Sequence, residues 1–414
     1  MPCESKADVL RIAVGVSKEC IMRSTVQPGW MGIGRWVANI GMAFAILLLL
    51  AVVATRPVQA KSFSVLYAFK GGTDAANPMA SLIQDAAGNF YGTTYDGGDS
   101  NLGAVFMLDA AGNETVLYSF TSGTDGQYPR AALVRDAAGN LFGTTSYGGT
   151  SNRGTVFKLD ATGKETVLYN FTGGADGGNP FASLLLGGGG NLYGTTSGGG
   201  PSGFGTVFKL DATGKETVLY GFTGGADGGS PLAGLILSPA GKFYGTTYAG
   251  GAFGFGTVFQ LDATGKQTVL HSFADGSDGS GPKAGLVRDS VGNLYGTTYS
   301  GGAAGYGTVF KLAPSGKETV LYSFTGGADG INPEAGLVRD TFGSLFGTTY
   351  GGGAPGYGTV FKVDTTGREI VLYRFATAAG MVPRAGLIRD VGGNFYGTTS
   401  SGGSGGGTVF KLSP

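Results

Sequence analysis

Aspartate is the residue whose spacing first suggests chemistry in this sequence. It stands four residues before a proline at steps of 51 residues, at Asp74, Asp125, Asp176, Asp227, Asp278 and Asp329, and a seventh copy has Ala379 there. A ring of carboxylates could bind a cation, but calcium loops gather several oxygen ligands within a few residues and each segment here offers one acid. We therefore interpret the aspartate as a turn residue that accepts hydrogen bonds from loop amides.

The residue that follows the same proline differs from copy to copy. It is Met79, Arg130, Phe181, Leu232, Lys283, Glu334 or Arg384. Because the segment leads into the innermost strand of each repeat, we expect these side chains to surround the mouth of a central channel. Arg130, Lys283, Glu334 and Arg384 are therefore candidate ligand-binding residues. The alternative is tolerated variation at solvated loop ends.

Two sets of aromatic residues complete the candidate binding face. Tyr95, Tyr248, Tyr299 and Tyr350 directly follow a repeated G-T-T, whereas Phe204, Phe255, Tyr306 and Tyr357 stand just before a repeated G-T-V-F. Aromatic side chains on a loop face can stack on sugar rings or on an apolar patch of a partner protein. The alternative is that each covers the Gly-rich loop beside it.

Few residues are suited to catalysis. Both cysteines, Cys3 and Cys20, precede residue 60, and the single histidine, His271, occupies the tyrosine place of a repeated V-L-Y-x-F. A serine triad needs a histidine base, and zinc sites need clustered His, Cys or acidic ligands. We therefore predict a non-catalytic protein without cofactor or bound metal.

A hydrolase is the alternative function. Some propeller lactonases hold a metal at the channel mouth with Asp, Glu and Asn side chains. The nearest equivalents in this sequence are Glu334, Asn77, Asn179 and Asn332. The alternative is thus a metal-assisted lactonase-like or glycan-hydrolase-like enzyme with its site at the channel mouth.

Three repeated motifs define the elements that must position these residues. The tetrapeptide [YF]-G-T-T begins at Tyr91, Phe142, Tyr193, Tyr244, Tyr295, Phe346 and Tyr396, with a spacing of 51 residues five times and then 50. V-L-[YH]-x-F and [TA]-V-F recur seven times at the same period. With the run that contains the variable position, each repeat has four short strand-like runs, five or six residues long, joined by turns and Gly-rich loops. The prediction is a four-stranded antiparallel meander in each repeat.

The apolar character of these runs is nearly continuous, which is typical of a sheet buried on both faces. A blade between two neighbouring blades has that environment, so we predict an all-β, seven-bladed β-propeller of four-stranded antiparallel blades. The repeats begin with a lone strand at 65–69 and end with three strands. We expect that strand to complete the seventh blade and close the ring, which removes exposed sheet edges. An open solenoid would instead have atypical end repeats.

The first 60 residues form a separate leader, followed by the repeats at 61–414. An uncharged apolar run, Val37 to Ala54, lies between Arg35 and Arg56, and a small-x-small pattern ends at Ala60. This predicts a signal peptide cleaved after Ala60 and a protein that is secreted, periplasmic or at the cell surface. An uncleaved N-terminal membrane anchor is the alternative, since the run can span a bilayer.

Charge and composition limit the partners. The chain has 82 glycines and no net charge; Met22 and Met31 are alternatives to Met1 as the start, and beyond residue 60 there are 22 basic and 25 acidic residues, a net charge of −3. A nucleic-acid partner is excluded because it would require a basic surface. We predict a monomer whose partner is a glycan or a surface protein, with membrane contact only through an uncleaved leader.

The repeat unit GNLYGTTxxGG…GTVFKLDxxGKETVLYxF resembles the bacterial choice-of-anchor tandem repeats called GloVer-type. The resemblance covers residues 63 to 412. It implies a secreted or surface repeat protein of propeller-like fold and supplies no established chemistry. The predicted function is therefore an exported binding or adhesion module that uses its Gly-rich loop face.

Overall fold

A computed structural model describes residues 62–413, in which the seven repeats form seven four-stranded antiparallel sheets. The leader, with its predicted signal peptide and cleavage after Ala60, lies outside the described residues. Each sheet is a blade with an inner, a second, a third and an outer strand in that spatial order. The predicted all-β seven-bladed propeller is confirmed.

Strand bounds follow the period of the sequence. In blades 1 to 7 the inner strands are Ile83–Gln84, Val134–Arg135, Leu185–Leu186, Ile236–Leu237, Val287–Arg288, Val338–Arg339 and Ile388–Arg389. The second strands are Phe90–Thr94, Leu141–Thr145, Leu192–Thr196, Phe243–Thr247, Leu294–Thr298, Leu345–Thr349 and Phe395–Thr399. The third strands are Ala104–Leu108, Thr155–Leu159, Thr206–Leu210, Thr257–Leu261, Thr308–Leu312, Thr359–Val363 and Gly406–Ser413. The outer strands are Glu114–Ser119, Glu165–Asn170, Glu216–Gly221, Gln267–Ser272, Glu318–Ser323, Glu369–Arg374 and, for blade 7, Ser62–Ala68.

Short elements lie in the connections. Two 3₁₀ turns are formed by Gly188–Gly190 and Thr377–Ala379. Ala75–Ala76 pairs with Asp96–Gly97, and Gly402–Gly403 pairs with the last strand. Among residues 62–413 no helix has the length and apolar character that crossing a membrane requires.

The N-terminal strand closes the ring, as predicted, although it spans 62–68 and begins three residues earlier than expected. It pairs antiparallel with Gly406–Ser413, so blade 7 combines one strand from the start of the repeats with three from their end. A hydrophobic cluster fills each of the seven interfaces between adjacent blades. In the interface between blades 7 and 1, Phe69 meets Phe106 edge to face at 5.0 Å, and each other interface repeats this pair.

The inner strands are shorter than the sequence predicts. Only two residues of each six-residue run pair with the second strand, as Val287 and Arg288 do in blade 5. The first residues of the run bond instead to the neighbouring blade. In blade 2, for example, the carbonyl of Ala131 accepts a hydrogen bond of 2.9 Å from the Thr93 hydroxyl of blade 1.

Packing or hydrogen bonding explains each position of the G-T-T motif. A Cβ on Gly245 would lie 2.7 Å from the Phe259 ring, so only glycine fits under that ring. The first threonine forms the bond to the next blade in all seven interfaces, including Thr398 to Ala80 across the closure. The second, as in Thr247, bonds within the Gly-rich loop that follows.

Candidate functional site

The two kinds of Gly-rich loop lie on one face of the propeller, because they pair with each other. Bridges such as Gln127 to Tyr147 and Gly178 to Gly198 join the loop before an inner strand to the loop after a second strand. At the centre of this face, the seven side chains that follow the prolines line one cavity of about 290 Å³, together with small residues of the inner strands. We call this cavity the channel mouth. The seven side chains lie where the sequence predicts.

One sector of the mouth, in blades 5 to 7, is an ion-pair network. Glu334 accepts hydrogen bonds from Lys283 Nζ at 2.8 Å and from Arg384 Nη1 at 3.1 Å, and only 11% of its side chain is exposed. The Lys283 ammonium lies 3.3 Å from the centroid of Tyr299. Arg384 lies over Tyr350 at 4.6 Å. Both cations therefore have a carboxylate and an aromatic partner.

The opposite sector, in blades 1 to 3, is aromatic. The Arg130 guanidinium carbon lies 4.9 Å from the centroid of Tyr95 and 5.2 Å from that of Phe181. Tyr95 stacks on Tyr128 at 4.6 Å, and Tyr147 meets both Tyr128 and Phe181 edge to face at 6.4 Å. Among residues 62–413 Arg130 forms no ion pair, and its buried Nε has no hydrogen-bond partner.

The tyrosines that follow G-T-T thus belong to the mouth's supporting shell. Tyr95, Tyr299 and Tyr350 contact the three cations, and Tyr248 lies 5.8 Å from the Lys283 ammonium. Sequence reasoning missed Tyr128 and Tyr147. Both are visible as departures from the repeat: the first replaces the Asn, Ser, Gly or Val before proline, and the second replaces a smaller residue two places after G-T-T.

The second aromatic set does not line the mouth. Phe204, Phe255, Tyr306 and Tyr357 form parallel bridges inside their own loops. The Phe204 ring lies 2.6 Å from where a Cβ on Gly224 would stand, and Tyr306 is packed in the same way on Gly326. These two contacts agree with the alternative interpretation, in which each aromatic side chain covers a Gly-rich loop.

The repeated aspartate is a turn residue, as interpreted. Asp125 accepts hydrogen bonds from the Thr121 amide at 2.8 Å and from the Tyr118 hydroxyl at 3.1 Å. The same pair, a loop amide and a tyrosine seven residues earlier, recurs at Asp74, Asp176, Asp227 and Asp329. At Asp278 the tyrosine place is taken by His271, whose Nε2 lies 3.3 Å from the carboxylate and whose pKa is lowered by burial.

A glutamate of the next blade faces this aspartate at the outer edge of the propeller. We call Glu114 with Asp74, and the four equivalent couples, the perimeter pairs; the others are Glu165 with Asp125, Glu216 with Asp176, Glu318 with Asp278 and Glu369 with Asp329. Desolvation first, and the aspartate's charge second, raise the pKa of each glutamate to about 7. One oxygen of each glutamate is buried without a hydrogen-bond partner.

The remaining two interfaces lack this pair. Gln267 takes the glutamate place and donates a hydrogen bond of 3.1 Å to the backbone carbonyl of Asp227. In the closing blade, Phe63 occupies the same register position and stacks on Tyr373 at 3.8 Å, where the aspartate place is Ala379. The glutamate is thus absent from the one interface without the aspartate, and a neutral glutamine replaces it at Asp227. Sequence comparison of the copies could have shown this link.

The side chains predicted for a hydrolase site each have a partner of their own among the described residues. Glu334 binds the two cations described above. The amide of Asn77 donates to Asp96, and those of Asn179 and Asn332 donate to backbone carbonyls. Within residues 62–413 no three His, Cys, Asp or Glu side chains form a group that could hold a metal ion.

The fold and the loop face define a seven-bladed propeller with a small cavity at one end of its channel. By sequence, the chain belongs to the Gloeobacter/Verrucomicrobia repeat family, whose model matches residues 52–189, 174–343 and 321–414. This confirms the resemblance drawn from the repeat unit. No curated protein matches the chain in sequence.

Solved structures share the fold at low identity. The extracellular domain of a protein described as a hybrid two-component system from B. thetaiotaomicron is 11% identical with a TM-score of 0.56. That match covers 84% of this chain and 39% of the other, so the chain spans about two fifths of its length. A gluconolactonase from Xanthomonas campestris is 13% identical with a TM-score of 0.45, over 86% of this chain and 89% of the other. At such identities the likeness concerns the fold alone.

Proposed function

We propose that this protein is an exported binding module that holds the end of a glycan chain in the channel mouth. The observation that carries the proposal is the convergence of seven side chains of six residue types on one cavity, in a molecule whose other positions are largely repeated. A scaffold requires the repeated residues. Residues that differ between copies and meet at one point are suited to recognising a ligand without sevenfold symmetry.

The size and chemistry of the mouth favour a sugar. Its volume of about 290 Å³ is at the lower end of the roughly 300–1,000 Å³ usual for small-molecule sites. Phe181 offers an aromatic surface in the mouth, with Tyr95 and Tyr147 in the shell around it, and the cations offer hydrogen-bond donors. This combination suits a ring with an apolar face and polar edges. The export part of the proposal depends on the apolar run at 37–54 and the small residues before position 61.

The test is glycan-array binding by the purified chain, followed by titration of the best ligand with two matched variants. Phe181→Ala removes a mouth aromatic, and we expect about a 3- to 10-fold loss of affinity. Phe204→Ala removes an exposed phenylalanine of the same face that lies outside the mouth, and it should bind normally. Absence of binding to every glycan, or equal losses in both variants, would contradict the proposal. Metal-dependent consumption of a glycan or lactone would favour the hydrolase.

A further inference from the structure

We propose that Arg130 binds a carboxylate, so that the sugar held in the mouth is acidic, with a uronic acid as its terminal residue. This inference rests on the proposed function and deepens it. It starts from a difference between three cations that occupy equivalent positions in three copies of the repeat. All three line the same cavity, but only one lacks a carboxylate partner among the described residues.

Lys283 and Arg384 are already neutralised in part by Glu334. A ligand carboxylate that approached them would have to compete with a protein carboxylate held at 2.8 and 3.1 Å, and it would meet repulsion from that group. Their sector therefore suits the hydroxyl groups of a sugar better than its acid group. Arg384 has a further partner, the Tyr350 hydroxyl at 3.4 Å.

Arg130 is held in place by aromatic side chains instead of an acid. The guanidinium lies between Tyr95 and Phe181, and these contacts fix its plane without occupying its donors. Its Nε, like that of Arg384, is buried and has no hydrogen-bond partner in the described part of the chain, so what sets Arg130 apart is the lack of a carboxylate partner. The terminal nitrogens are then the groups that remain for the cavity. A planar fork of two N–H groups matches the two oxygens of a carboxylate.

The aromatic sector also suits the rest of such a ligand. Tyr147 is 37% exposed and meets edge to face the Phe181 ring, over which the Arg130 guanidinium lies. A pyranose whose acid group meets Arg130 would have these aromatic faces next to its ring. The network around Glu334 on the opposite side would then receive the sugar hydroxyls.

The experiment is isothermal titration of the full chain with methyl glucuronide and methyl galacturonide, each compared with the neutral methyl hexoside of the same configuration. We expect the acids to bind more tightly than their neutral counterparts. Arg130→Met keeps the length and apolar contacts of the side chain but removes its charge, and it should weaken uronide binding by about 10- to 100-fold. Arg130→Lys keeps the positive charge but lacks the planar pair of N–H donors, so its uronide affinity should fall by less than that of Arg130→Met.

The matched control is Arg135→Met, which changes the same residue type five places along the same segment, over Tyr91 and outside the cavity. It should bind uronides like the unaltered protein, and thermal melting confirms that each variant is folded. Equal uronide affinity of the Arg130→Met variant and the unaltered chain would overturn the inference. Tighter binding of neutral or sulfated sugars would also overturn it while leaving a glycan-binding function intact. Binding of no sugar at all would instead contradict the proposed function.

Discussion

The channel mouth and the outer perimeter are built from the same seven repeats, and they use charge in opposite ways. At the mouth, Glu334 lies between Lys283 and Arg384. At the perimeter, Glu165 lies near Asp125, and neither forms an ion pair with any residue in the range 62–413. Burial beside a like charge favours the protonated form, which explains the raised pKa of the glutamate.

The exceptions in the perimeter support this view. Gln267 is a neutral isostere of a protonated glutamate, and it donates to the carbonyl at the place where the glutamates have an unpartnered oxygen. The repeated glutamates of the perimeter therefore belong to the scaffold, and burial beside an aspartate keeps them neutral. Charges that vary between copies lie at the mouth, where they remain available for recognition.

Raising the pH should produce the largest effect, because it acts on five perimeter pairs together. The folded-state pKa of about 7 lies above the ordinary 4.5, so the stabilisation is complete below about pH 4.5 and is lost as the pH rises through 7. We expect the melting temperature to fall by about 5 °C or more between about pH 5 and pH 8. Calorimetry at both pH values measures this, and a flat profile would contradict neutral perimeter glutamates.

Glu334→Gln should produce the next largest effect, and it is confined to the mouth. It leaves two cations close together without their carboxylate, at a site that is only partly exposed. We expect a loss of about 1–2 kcal/mol in the free energy of unfolding, measured by urea denaturation. Uronide affinity should rise in the same variant because the mouth gains positive charge. If both stability and uronide affinity were unchanged, the ion-pair network would neither stabilise the fold nor affect ligand binding.

Glu165→Gln tests the perimeter by the same chemical change and should have the opposite sign. Near pH 8 it removes a half-buried charge near Asp125, so we expect about 1 kcal/mol of added stability after screening by solvent, with little change near pH 5. Gln267→Glu is the reverse change, and it should lower the free energy of unfolding only at the higher pH. Denaturation curves at the two pH values decide this, and a stabilisation that is equal at both would exclude a titration effect.

Val382→Asn should produce the smallest effect. It tests whether a change in loop stability leaves ligand binding unaffected. Val382 has φ 60°, a left-handed conformation that is unfavourable for a β-branched residue, whereas Asn332 occupies the same place in blade 6 with φ 54°. We expect a gain of about 0.5–1 kcal/mol in unfolding free energy and no change in glycan affinity. Asn332→Val is the converse change and should lose more, because it also removes the hydrogen bond of 2.8 Å from the Asn332 amide to the Tyr299 carbonyl. Equal stability of all three proteins would show that this conformation carries no strain.

The repeat period was sufficient to predict the blades, their order and the closing strand, because four short strands per 51 residues leave few alternatives. It also predicted that Arg130, Lys283, Glu334 and Arg384 share one cavity, since equivalent positions of a ring meet at its axis. It could not predict which cations are paired. Ion pairs form between neighbouring copies and depend on side-chain reach, which a period does not encode.

The packing of Phe63 on Tyr373 has a consequence for assembly. Seven outer strands of nearly the same sequence could in principle compete for the open edge of the last blade, within one molecule or between two. A strand from any other repeat would place Glu or Gln against the Tyr373 ring, and Phe63 placed elsewhere would meet the repeated aspartate. Because of this mismatch, only the first strand of the chain packs well on the last blade. Pairing with a strand of another repeat, or domain swapping with a second copy, is therefore disfavoured.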